Sequence, residues 1–130
     1  MKKSLLIFTI LIYFSYFPAQ AETVTKNDVQ LRDDVILVLL FPSIDKELEK
    51  QFGKSTQYYC AKILQVKRLE HNYHYNITVQ LTTFEGAHSP PFNLVTITLS
   101  NELSMEFRAI KFKSTRLNPN EIIECKGLSN

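Results

Sequence analysis

Few side chains in this 130-residue chain could do chemistry, and they can be weighed almost pair by pair. Glu85 and His88 lie three apart in the run Thr83-Phe84-Glu85-Gly86-Ala87-His88-Ser89-Pro90-Pro91-Phe92. A carboxylate and an imidazole this close could exchange a proton or offer two ligands to a metal ion, but a stable zinc site takes three or four. His71 and His74 are also three apart. They enter a segment of strand character, in which residues so spaced point to opposite faces and cannot chelate together. No Gly-x-Ser-x-Gly nucleophile elbow is present, and Glu85 has no acidic partner for two-carboxylate hydrolysis.

The same run has a non-catalytic reading. Gly86 admits backbone conformations closed to other residues. Pro90 holds Ser89 extended, and Pro91 does the same to Pro90. A stiff loop loses little entropy on binding, so Phe84, Glu85, Gly86, His88, Pro90, Pro91 and Phe92 form a candidate recognition loop. The competing reading is a structural corner, with His88 bonded to backbone and Phe92 capping the core. Lys111, Lys113 and Arg116, with Lys67 and Arg68, make either a small basic patch or ordinary solvated strand faces. Tyr58, Tyr59, Tyr73 and Tyr75 fit cross-strand pairs better than a carbohydrate platform. Asn76-Ile77-Thr78 has the form of a glycosylation acceptor, but it sits inside a strand pattern.

The chain has two cysteines, Cys60 and Cys125. In an oxidising compartment such a pair points to one disulfide closing a loop of about 65 residues, worth about 4 kcal/mol by loop-closure entropy. Two unpaired thiols are the alternative, and no Cys-x-x-Cys spacing exists for a metal.

The compartment follows from the N-terminus. Met1-Lys2-Lys3 is a short positive region, Leu5 to Phe17 an apolar run, and Ala19-Gln20-Ala21 a small-x-small cleavage pattern. About 13 apolar residues fall short of the 20 or so that a membrane span needs. Residues 1–21 are therefore expected to be a signal peptide cleaved between Ala21 and Glu22, leaving residues 22–130 as a single secreted, extracellular domain, with cell-wall association a further option. The whole chain carries 15 Lys and Arg against 13 Asp and Glu. Loss of Lys2 and Lys3 makes the product neutral, which removes the general electrostatic argument for nucleic acid or an anionic membrane.

The elements that must position these residues alternate in period. Thr25-Lys26-Asn27-Asp28 can cap a helix. Val35 to Phe41 is apolar all round, as in a fully buried helix or strand, and Ile44, Leu48 and Phe52 continue it at helical spacing. Pro42 predicts a kink or a restart into two short helices, and Gly53 a stop. The period then becomes two. Tyr59, Ala61 and Ile63 alternate with Cys60, Lys62 and Leu64 in a strand to about Leu69. Tyr73, Tyr75, Ile77, Val79 and Leu81 share a face of the next. Glu85 to Pro91 is predicted as a loop, and Phe92 to Ser100 as a strand with Val95, Ile97 and Leu99 on one face. Asn101-Glu102 turns the chain into a fourth strand bearing Leu103, Met105, Phe107 and Ala109, with a bulge near Ala109. The result is an α+β domain: an N-terminal kinked helix on a four-stranded antiparallel meander, roll-like in the manner of cystatins.

Ala61-Lys62-Ile63-Leu64 after Gly53, and above all the Thr-Phe-x-Gly-x-His-x-Pro-Pro-aromatic run from Thr83 to Phe92, resemble a family of small exported proteins of spore-forming Gram-positive bacteria. That family is known as domain of unknown function 3888. The resemblance implies export and this fold, and brings no catalytic residues. The chain departs from it at Asn93, where glycine is expected, although asparagine also tolerates positive φ. The function expected is a non-enzymatic binding or interaction module for an unknown protein, peptide or cell-envelope ligand, needing no cofactor. Alternatives are an extracellular hydrolase or metal-dependent enzyme using the Glu85–Phe92 loop and, more weakly, a cystatin-like peptidase inhibitor resting on fold analogy.

Overall fold

A computed structural model describes residues 25–70, 73–121 and Cys125. The expected signal peptide, its Ala21/Glu22 cleavage point and His71 lie outside the described residues. Helix α1 (Lys26–Phe52) is followed by strands β1 (Gln57–Arg68), β2 (Tyr75–Glu85), β3 (Ser89–Ser100) and β4 (Arg108–Arg116). The strands form an open antiparallel sheet in the order β1-β2-β3-β4, so the α+β meander is observed.

Local chemistry sets the ends of α1. The Thr25 hydroxyl accepts from the Asp28 backbone N–H, and the Asp28 carboxylate accepts from the Thr25 N–H at 3.0 Å, a reciprocal cap. The hydrogen bonds from Thr25 hold the Asp28 carboxyl below its ordinary value of 3.8. Gly53 closes the helix at φ 71°, its N–H reaching the Glu49 carbonyl at 2.8 Å. Pro42 lies within one continuous helix rather than between two. Packing explains this: Leu37 and Leu40 before it, and Ile44 and Leu48 after it, fall on a single sheet-facing stripe.

That stripe covers Ile77, Val79 and Leu81 of β2 and Val95, Ile97 and Leu99 of β3. The all-round apolar character of residues 35–41 does not mean full burial, however. Val35, Val38 and Leu39 are 61%, 60% and 74% exposed, because the sheet covers the helix on one side only. Among the described residues, no helix is long and apolar enough to cross a membrane.

Two bulges re-aim β1. Tyr59 faces Thr82 and Lys62 faces Gln80, so Cys60 and Ala61 together oppose Leu81, and a second shift falls between Ile63 and Gln65. Cys60 takes φ 53°, which turns Tyr58 and Ala61 toward the core and Tyr59 to the other face. Cys60 is disulfide-bonded to Cys125, fastening the C-terminal segment to the strand farthest in the sheet from β4. The bulge expected near Ala109 is present: Thr98 pairs Lys111 and Leu99 pairs Ala109, leaving Ile110 extra.

Both ends of the middle hairpins are shorter than the sequence pattern implies. Tyr73 is 80% exposed and β2 begins at Tyr75. Leu103 and Met105, expected on a strand face, are 94% and 90% exposed, and β4 begins only at Arg108. Buried Asn101 marks the first of these ends. Its side chain takes the Tyr75 N–H at 2.7 Å and donates to the Tyr73 carbonyl at 3.0 Å, and its own carbonyl meets His74 Nδ1 at 2.9 Å. The clip takes up backbone groups where β2 begins; on the β4 side the Glu102 N–H turns back to the Ser100 hydroxyl at 3.2 Å, and the chain bends through residues 102–106.

Burial separates two leucines of the same helix. Leu48→Ala should cost about 3 kcal/mol in urea unfolding, because Leu48 is 0% exposed, whereas Leu39→Ala should stay within about 0.5 kcal/mol. Equal effects would contradict the one-sided packing.

Candidate functional site: the tip of the β2–β3 hairpin

The run from Thr83 to Phe92 is the tip of the β2–β3 hairpin. It is not the open loop expected from Glu85 to Pro91. Glu85 pairs with Ser89, and only Gly86, Ala87 and His88 turn between them. Gly86 (φ 54°) and His88 (φ 51°) both take the left-handed conformation that so short a turn requires. Between the pairs Thr83–Asn93 and Glu85–Ser89, β2 contributes one residue, Phe84, and β3 three: Pro90, Pro91 and Phe92. The Pro90–Pro91 peptide is cis. Proline fits here because the bulge takes these positions off the β2 ladder, and β4 reaches only as far as Arg116, opposite Asn93.

Asn93 is extended, in neither turn nor positive φ; its amide donates to the buried Thr83 hydroxyl at 3.2 Å. The Phe92 carbonyl accepts from the Leu117 N–H at 2.9 Å, anchoring the chain as it leaves β4.

The structure divides the seven candidate residues by role. Phe84 is buried at 9% exposure, with its ring edge-on to Tyr59 at 5.7 Å. The exposed His88 lies flat on Phe84 at 4.1 Å and edge-on to Tyr59 at 5.5 Å. The corner expected from the sequence had His88 on a backbone group; here it is held by rings. Glu85 is turned away from His88 to Lys54 just beyond α1, Oε1 to Nζ 2.7 Å. Gly86 and Pro90 are exposed, while Pro91 and Phe92 are half-buried. Glu85 and His88 are thus committed to different neighbours, and no nucleophile–base pair forms between them. Among the described residues, no group of three or more His, Cys, Asp or Glu side chains could hold a metal ion.

Other sequence candidates scatter. Tyr58 donates to Asp45 at 2.8 Å and packs edge-on to Phe41, its phenol pushed up by burial and by that hydrogen bond. Tyr75 packs on the core and Tyr73 lies in solvent, so the tyrosines form no platform. Of the basic residues, Lys67, Lys111 and Lys113 fall on one face of the sheet and Arg68 and Arg116 on the other, by register. Sequence reasoning missed Lys62 and Arg108, which join the first group. Only the strand register could have found them.

The stack sets a stability order. Phe84→Ala should cost about 3 kcal/mol, since it removes a buried ring. His88→Ala should cost about 1 kcal/mol, losing the stack, and His88→Gly less, because glycine relieves the left-handed backbone. Urea unfolding of the three variants checks this; His88→Ala as damaging as Phe84→Ala would contradict it.

Comparison with curated proteins gave no match, and comparison with solved structures gave none either. A family model described as "Protein of unknown function (DUF3888)" matches residues 32–115. That span runs from the second turn of α1 to the last residues of β4, takes in the whole hairpin tip and covers more than half of the chain. The chain therefore belongs to the family of domain of unknown function 3888.

Proposed function

We propose that the protein is a secreted, non-enzymatic binding module whose recognition edge is the hairpin tip from Glu85 to Phe92. One observation carries the reading: an exposed imidazole is held in a fixed pose at the β2–β3 turn, stacked 4.1 Å from buried Phe84. A side chain already ordered before contact loses little rotamer entropy when a partner covers it. His88 can still donate and accept hydrogen bonds at its edge while one of its faces is occupied. Around it lie the Lys54–Glu85 ion pair and two prolines, whose rings fix φ. The partner is a protein, peptide or cell-envelope ligand met outside the cell. Export rests on the N-terminal pattern, with which the Cys60–Cys125 disulfide agrees.

A photo-crosslinking residue at Ala87 should capture one discrete partner on the surface of producing cells. The same residue at Leu103, exposed in the β3–β4 connection, should not, and His88→Ala should abolish capture at position 87 while lowering the melting temperature by only about 4–8 °C, so that the variant is still folded at the temperature of the assay. No product at 87, or the same products at both positions, overturns the reading.

A further inference from the structure

We infer that the sheet face turned away from α1 binds an acidic polysaccharide. The inference stands apart from the reading of the hairpin tip and is carried by strand register. Residues directly opposite in paired strands share a face, so the pairings lay out that surface row by row. One row runs Lys62, Gln80, Thr96, Lys113 from β1 to β4. The next runs Gln65, Thr78, Thr98, Lys111, and a third Lys67, Asn76, Ser100, Arg108. They alternate with the rows of Val79, Ile97 and Phe112 and of Ile77 and Leu99, which face the helix.

Each row is therefore a central pair of hydroxyl or amide groups with a cation on one or both edges. The two edges lie about 14 Å apart, three strand spacings. Five cations, two on β1 and three on β4, frame the strip, and all five are exposed. No carboxylate, apolar or aromatic residue occurs in the three rows. Among the described residues, none of the five cations forms an ion pair. Glu70, Glu102 and Glu106 lie in the connections beyond the strand ends.

The carboxylates are elsewhere. Helix α1 carries Asp28, Asp33, Asp34, Asp45, Glu47 and Glu49 against four cations. A neutral balance over the domain thus conceals a cationic face, which net charge alone could not reveal. Lysines on edge strands also deter edge-to-edge pairing. That role explains cations at the edges, but not a face from which every carboxylate is missing, since mixed charges would deter pairing as well.

The composition selects among polyanions. A single-stranded nucleic acid is held by stacking on a series of aromatic side chains; the three rows have none, and the aromatic groups at the hairpin end of this face, Tyr59, Phe84 and His88, are packed on one another. An anionic membrane surface is engaged by a continuous apolar face beside the cations; the exposed apolar side chains next to these rows, Leu64 and Ile110, are single bulge residues on opposite edge strands. A hydroxylated chain with regularly spaced carboxylates fits both parts of the strip: acids to the lysines at the edges, hydroxyls to Thr78, Gln80, Thr96 and Thr98 between them. The Thr78 and Thr98 hydroxyls sit 3.2 Å apart, each with capacity for a further bond.

The test is binding of the purified protein to immobilised polygalacturonate, with uncharged dextran and inorganic polyphosphate as comparison polymers. The protein should bind polygalacturonate at about 50 mM salt, lose about ten-fold or more in affinity by about 300 mM, and ignore dextran. K62Q/K111Q/K113Q should weaken binding about ten-fold. The charge-matched helix variant K26Q/R32Q/K46Q, and H88A at the tip, should stay within about two-fold of the unmodified protein. The single K62Q variant should still weaken binding measurably if the triple variant melts early. The inference is overturned if polygalacturonate is not bound, if the face and helix variants weaken binding equally, or if polyphosphate, which lacks hydroxyls, binds as tightly.

Discussion

The structure depends on one constraint: a four-stranded meander has a single apolar face, and one helix must cover it. Val79, Leu81, Val95, Ile97 and Leu99 are wholly buried because Leu37, Leu40, Ile44 and Leu48 lie over them. A slip of one residue in any strand would send its apolar set to solvent, so this burial fixes the register of the whole sheet. The cap at Thr25, the stop at Gly53 and the Asn101 clip serve that arrangement by ending elements where covered surface ends. The disulfide adds a covalent tie between β1 and the C-terminal segment, across a sequence separation of 65 residues.

Once register is fixed, everything on the other face is fixed with it. The bulge at Cys60 turns Tyr59 outward, where it meets Phe84 and His88, and the same offset brings Lys62 level with Gln80. The bulge at Ile110 likewise puts Lys111 and Lys113 in line with Thr98 and Thr96. Two irregularities in the edge strands therefore help to assemble both the aromatic tip and the cationic strip. They need not act on one partner, since the tip presents a ring and the strip presents charge and hydroxyls.

Much of this was legible in the sequence, for identifiable reasons. Alternation at Ile77, Val79 and Leu81 and at Val95, Ile97 and Leu99 is a local signal that burial enforces, and the helix ends follow from Thr25 and Gly53. Where the sequence misled, tertiary context decided. Pro90 and Pro91 looked like loop residues but lie in β3, because a bulge frees them from the ladder. Leu103 and Met105 alternated like strand residues but lie in solvent, because the Glu102 N–H turns back to the Ser100 hydroxyl and the chain bends through residues 102–106 before β4. The apolar run at Val35 to Phe41 suggested burial on all sides, yet only one layer exists to bury it. The cationic face was beyond reach: Lys62 and Lys113 are 51 positions apart in the chain, and only pairing through β2 and β3 brings them into one row.

The register gives the sheet two faces, an apolar one covered by the helix and a cationic, hydroxylated one that we propose for a partner. The most direct measurement is a methyl-resolved NMR titration of the protein with soluble oligogalacturonate, following the threonine methyl groups. Thr78, Thr96 and Thr98 should shift together and saturate at one ligand concentration, while Thr25 and Thr56 stay still. Shifts spread over both groups, or confined to residues around His88, would contradict it.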